Sequence, residues 1–155
     1  MNSRGVTTVE FALISVVLFL TLFASIEVAR AMFVRAILEE GARRAARLAV
    51  VSPADTATLT MLREMACFGA EGQCAVFTPD LTPDQIGVQY LDYAGSPVAA
   101  PASDPGAVRY VRVQVSAGGD SGYRLPLLIP FIDVEYPVGE IASIQPAQSL
   151  GVHPD

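Results

Sequence analysis

Residues 4–23 read RGVTTVEFALISVVLFLTLF, and the reading of this stretch decides the fold. Phe11 to Ile26 carry no charge, yet Glu10 stands directly against their leading edge. A carboxylate at the mouth of an apolar run is costly in lipid unless it has a partner or a route to water. From Val6 to Ile26 the chain is apolar all round, and at helical rise it covers most of a ~30 Å hydrocarbon layer. Past Glu27 the pattern changes. Val34, Ile37, Leu38, Gly41, Ala45, Leu48 and Ala49 follow the spacing of one helical face. Glu39 and Glu40 precede Arg43 and Arg44 by four residues, the favourable order for helical ion pairs. No proline intervenes before Ser52-Pro53, which predicts one helix over 6–51, roughly 65–70 Å long. Its span is about 6–26 and its amphipathic part 27–51.

Composition agrees with an anchored domain. Of 155 residues 52% are apolar and mean hydropathy is +0.42, with the excess at the N-terminus. Residues 1–47 hold six Arg against four Glu, and residues 48–155 four Arg against twelve acids, for the net −6 of the chain. An acidic domain lacks the basic footprint that nucleic acid requires. Cys67 and Cys74 read as a small disulfide loop beyond a membrane and as two free thiols in a cytosol. With one distant histidine, His153, a zinc site is not expected.

The remainder predicts a small α+β head over 52–145, with a flexible tail over 146–155. Asp55 is placed to cap a short helix from Thr56 to about Cys67. Ile86–Tyr93 and Val108–Ser116 carry strand signals, the latter through alternation of Val111, Val113 and Val115 with polar residues. YRLPLLIPF (123–131) fits an edge strand or an irregular apolar segment, and DVEYPVGEIASIQ (133–145) a last strand. The antiparallel sheet would thus be built late in the chain. GGDSGY (118–123) superficially matches a serine-nucleophile loop, but Ser121 would depend on His153 in the tail, so a turn between strands is expected. Neither an enzyme, a cofactor nor a small-molecule substrate is indicated.

Two plain readings of the N-terminus stand beside a more specific one. Ala29-Arg30-Ala31 resembles a signal-peptidase site, although helical patterning continues through it to Ala49. Thr7-x-x-Glu10 matches a capping box, in which Glu10 would only satisfy backbone donors at a helix start. Gly5, then Val6, then an acid at the fifth position after the glycine, then an apolar helix, resembles the processing site of type IV prepilins. The ordered set Gly5, Val9-Glu10-Phe11-Ala12-Leu13, the run to Ile26, Glu27/Arg30 and GARRAARLA (41–49) is similar to the TadE-like family of tight-adherence (Tad, or Flp) pilus proteins. The resemblance covers about the first third of the chain. VRVQV, LPLLIPF and the cysteine pair are similar in style to the later parts of such domains.

That resemblance implies a minor pilin or pseudopilin. Residues 1–5 would be a leader removed by a membrane prepilin peptidase between Gly5 and Val6. Glu10 would then pair with the N-terminal ammonium of a neighbouring subunit during assembly. Partners would be the peptidase, other pilins and the inner-membrane assembly platform, and the place the cytoplasmic membrane with the head outside. The leader MNSRG departs from relatives in being very short with one Arg, so either the start lies upstream or the leader is minimal. Small residues recurring at four-residue spacing (Gly41, Ala45, Ala49; Ala42, Ala46) suit helix association in lipid or in a pilus core. Counting Arg30, Arg35, Arg43, Arg44 and Arg47 against Arg4 would put the head in the cytoplasm. The cysteine pair and the acids beside those arginines favour the outside. The alternative is a single-span envelope protein whose acidic head binds a partner and which builds no filament.

Overall fold

The computed structural model describes residues 3–75, 77–78, 80–115, 123–128 and 134–148. The architecture is α+β: helix α1 (Ser3–Ala49), helix α2 (Thr56–Ala66) and strands β1 (Ile86–Leu91), β2 (Tyr110–Val115), β3 (Arg124–Pro126), β4 (Glu135–Pro137) and β5 (Ile141–Pro146). α1 runs unbroken from the apolar stretch into the head and ends at Ala49, two residues short of the expected 51. It begins at Ser3, so in the uncleaved chain Thr7 lies within the helix rather than at its start, and Thr7 and Glu10 do not form a capping box there.

α2 starts where Asp55 caps it. The Asp55 carboxylate accepts the Thr58 N–H at 2.7 Å, and this bond holds the carboxyl below its usual range. Its C-terminal end is a Schellman turn, in which Gly69 N–H reaches Glu64 O at 2.7 Å and Phe68 N–H reaches Met65 O at 3.2 Å. Phe68 takes the left-handed conformation there (φ 53°), and the Arg44 guanidinium lies over its ring at 5.3 Å.

β2 is the centre of a three-stranded antiparallel sheet of order β1-β2-β5. Val88, Val113 and Ser143 lie opposite one another across it. The alternation read in the sequence is realised: Val111, Val113 and Val115 are buried while Tyr110, Arg112 and Gln114 are half-buried on the other face. α1 packs over β5 and β2, and α2 over α1 and β1. The core gathers Val34, Leu38, Ala42, Ala45, Ala46 and Ala49 of α1 with Leu62, Ala66, Ile86, Val111, Val113 and Ile141. The amphipathic half of α1 is therefore part of the head's core and not a stalk beneath it. Ile37 and Leu48, expected on the buried face, are only half-buried.

Several expected boundaries shift for local reasons. β1 ends at Leu91 because Asp92 turns the chain, its carboxylate accepting Ser96 N–H at 2.8 Å. β2 begins at Tyr110 because Pro105–Ala107 form a 3-10 turn just before it. The last expected strand is two, β4 and β5, divided at Pro137 and at Gly139, whose φ of 94° suits a residue without Cβ. Ala147 donates its N–H to Arg109 O at 2.8 Å, so the ordered chain passes the expected tail boundary at 146. Ser121 and His153 lie outside the described residues.

Candidate functional site

The first half of α1 is a bare apolar surface. Its most apolar window has mean hydropathy 2.4 and 0% burial, so this helix is long and apolar enough to cross a membrane. Polar side chains inside it turn back on the backbone: Ser15, Thr21 and Ser25 donate to the carbonyls of Phe11, Val17 and Thr21 at 2.8–2.9 Å. This satisfies their hydroxyls where lipid could not. Glu10 is exposed and, among the described residues, makes no hydrogen bond or ion pair. Glu10 and Glu27 are about 25 Å apart along the axis, close to the thickness of a hydrocarbon layer. Val6 lies about 6 Å, just over one turn, before Glu10.

At the other end of the run the head begins with Glu27, which is buried to 8% exposure. Its Oε2 accepts Arg30 Nη2 at 2.8 Å and its Oε1 accepts the Leu128 N–H at 2.9 Å. Arg30 Nη2 also donates to Pro126 O. Five residues further on, Arg35 Nη1 donates to Val138 O at 3.2 Å. Three side chains of α1 thus hold the backbone of the β3–β4 ladder along the helix. Tyr123 and Tyr136 are packed beside the pair. Burial, then the charge of Asp80, pushes the Tyr123 phenol up to about 12 against the pull of Arg30. Burial also raises Tyr136. Both phenols are therefore neutral at any ordinary pH.

Glu27/Arg30 was legible only as a polar junction, because its backbone partners lie about a hundred residues away in sequence. The ion pairs read from spacing do form, with Arg43 3.6 Å from Glu39 and Arg44 2.8 Å from Glu40. Arg35 adds a third at 2.9 Å to Glu39. These three are solvent-facing and contribute little stability.

The stripe of small residues has a different use from the one expected. A Cβ on Gly41 would lie 2.1 Å from Ala66 O and 3.0 Å from the Phe68 ring. Ala42, Ala45, Ala46 and Ala49 are fully buried in the core. The stripe lets α2 and the sheet approach α1 within one chain, and this surface is not free for association between helices.

Cys67 and Cys74 form a disulfide that closes the α2 C-terminus onto the following loop. Glu64 steadies this loop by accepting Gly72 N–H at 2.7 Å. A cross-link over so short a loop stabilises by about 2.5 kcal/mol through chain entropy. Protein from the envelope should take up thiol-alkylating reagent at both cysteines only after reduction. Labelling without reductant would place the head in a reducing compartment.

The geometry defines a class: an α+β head built around the upper half of a helix whose lower half is fit to span a membrane. Residues 5–47 match the family model TadE, described as TadE-like protein. The match falls on the same stretch that carries the sequence resemblance. Neither the curated proteins nor the solved structures gave a match.

Proposed function

We propose that this chain is a TadE-like minor pilin or pseudopilin, anchored in the cytoplasmic membrane and acting in assembly of a Tad pilus for adhesion. The observation that carries the reading is the continuity of α1. One unbroken helix presents an exposed apolar half with Glu10 near its start and buries its other half in a head, over the residues that match the family. The chemistry is done to this protein rather than by it. A prepilin peptidase cuts after Gly5, where the lack of Cβ lets a protease approach the backbone closely. The new ammonium on Val6 then stands one turn from Glu10, and Glu10 pairs with the ammonium of a neighbouring subunit, so that neither charge is buried alone.

Two features support a priming or tip position over the filament shaft. The head is bulky, and the small-residue face of the helix from Val34 to Ala49 is already covered by it, leaving a charged face there and the apolar surface of the lower helix for lateral packing. The disulfide supports a head outside the cytoplasm, since such bonds persist in oxidising compartments. Release by a cut at Ala31 is disfavoured because it would discard Glu27 and Arg30, which hold the β3–β4 ladder.

Intact mass tests the proposal. Coexpression with the cognate prepilin peptidase should remove the residues through Gly5, and Gly5→Val should block the cut. An unchanged mass beside active peptidase would exclude the pilin reading and leave a single-span envelope protein with a binding head. A cut at Ala31 would indicate a secreted domain.

A further inference from the structure

The β3–β4 hairpin is aimed along α1 toward the end that carries the span. Its far end is fixed at Arg35 through Val138, and its near end at Arg30 and Glu27 through Pro126 and Leu128. The ladder continues past β3 and β4, with Leu127 N–H bonded to Val134 O at 3.0 Å. Side chains on a helix lean toward its N-terminus, so the Glu27 carboxylate holds Leu128 at or below the level of Glu27 itself. Ile26, the neighbouring residue, is the last of the uncharged run. At this level the hairpin exposes large apolar side chains, Leu128 at 68% and Val134 at 50%, and Ile26 of α1 is exposed as well. β2 keeps its valines inside, and the other large apolar side chains exposed on the head, such as Ile144 of β5, are not tied to the Glu27 end of α1.

We infer that the β3–β4 hairpin is a membrane-contacting foot, with Leu128 and Val134 seated in the interfacial layer of the bilayer that α1 crosses. The bilayer is the occupant because Leu128 is bonded to Glu27, the residue that follows the last of the apolar run, which sets the patch within about one helical turn of the span. Hydrocarbon accepts such side chains at the headgroup boundary, as it does those of an interfacial helix. The Glu27–Arg30 clamp then sets the height of the head above the membrane. Both charges of the clamp are paired with each other and with backbone, which suits a site at the edge of a low-dielectric layer.

This inference rests on α1 being a membrane span, and the test separates the two. The chain has no tryptophan, so each single substitution gives one reporter. Phe19→Trp reports the span, Leu128→Trp and Val134→Trp the foot, and Tyr93→Trp a solvent-facing loop residue at 84% exposure. Full-length protein is placed in phosphatidylethanolamine–phosphatidylglycerol vesicles whose acyl chains are brominated either near the headgroup or near the terminal methyl. Phe19→Trp should lose emission to the deep bromines. The two foot reporters should lose emission to the shallow bromines, and Tyr93→Trp to neither. Foot reporters that behave like Tyr93→Trp while Phe19→Trp is quenched overturn the foot and leave the span intact. A blue-shifted but unquenched foot emission also overturns it, since the cover would be protein. An unquenched Phe19→Trp overturns both readings.

Discussion

Gly41→Ala is expected to destabilise the protein, although the same change in an isolated helix would be favourable. Helix propensity alone predicts a gain of about 1 kcal/mol, because Ala loses less backbone entropy than Gly. Packing predicts the reverse. The added Cβ would sit 2.1 Å from Ala66 O and 2.8 Å from Ala66 C, both backbone atoms near the end of α2. No rotamer change can clear them, so α2 must move away from α1, and the core that Leu62 and Ala66 share with Leu38, Ala42 and Ala45 is loosened. Overpacking of this kind costs about 1–3 kcal/mol, and a backbone clash lies at or above the upper end. We expect a net loss of about 2 kcal/mol, a fall in Tm of roughly 5–10 °C, and a larger fall for Gly41→Val. The disulfide should persist, since Cys67 and Cys74 move together with α2. Thermal unfolding of the detergent-solubilised chain measures this directly. An unchanged or raised Tm for Gly41→Ala would mean that the two helices cross further apart.

The same glycine shows where sequence reading stops. Its spacing with Ala45 and Ala49 is legible as a close-packing stripe, but the pattern that brings two chains together in lipid also serves two helices of one chain. Only the position of α2 decides between them. Elements fixed by local chemistry were legible: the apolar run of α1, the Asp55 cap and the alternation of β2. β4 and β5 merged in the sequence because Pro137 and Gly139 can punctuate a strand or sit at its edge. The Glu27–Arg30 clamp was legible only as a charged junction, since its partners are backbone groups that carry no side-chain signature. That the amphipathic half of α1 shares one core with the sheet was not legible, because the strands lie far along the chain from it. The buried face of α1 has no core without the sheet, and the sheet has none without α1.

Glu10→Gln is expected to abolish assembly while leaving the subunit intact. The substitution keeps the size and some hydrogen-bonding capacity of the side chain and removes its charge. Nothing in the folded subunit depends on that charge, since Glu10 is exposed and makes no ion pair among the described residues. Folding and the Cys67–Cys74 disulfide should therefore be unchanged, and insertion should be eased by the loss of a charge at the membrane edge. Cleavage after Gly5 should proceed. The effect should appear only when subunits meet. If Glu10 neutralises a neighbour's Val6 ammonium in an apolar setting, Gln leaves that ammonium unpaired, at a cost of roughly 3–5 kcal/mol. A cost of that size lowers an association constant by a factor of roughly 100 to 5,000. Pull-down of partner pilins and piliation should then be lost together. A capping role predicts a different result, because Gln serves in a capping box as Glu does and would cost only a few tenths of a kcal/mol. With α1 already helical from Ser3, that role could arise only after cleavage makes Val6 the first residue. Processed Glu10→Gln protein that still captures its partners and supports normal pili would therefore return Glu10 to the helix end and remove it from the interface.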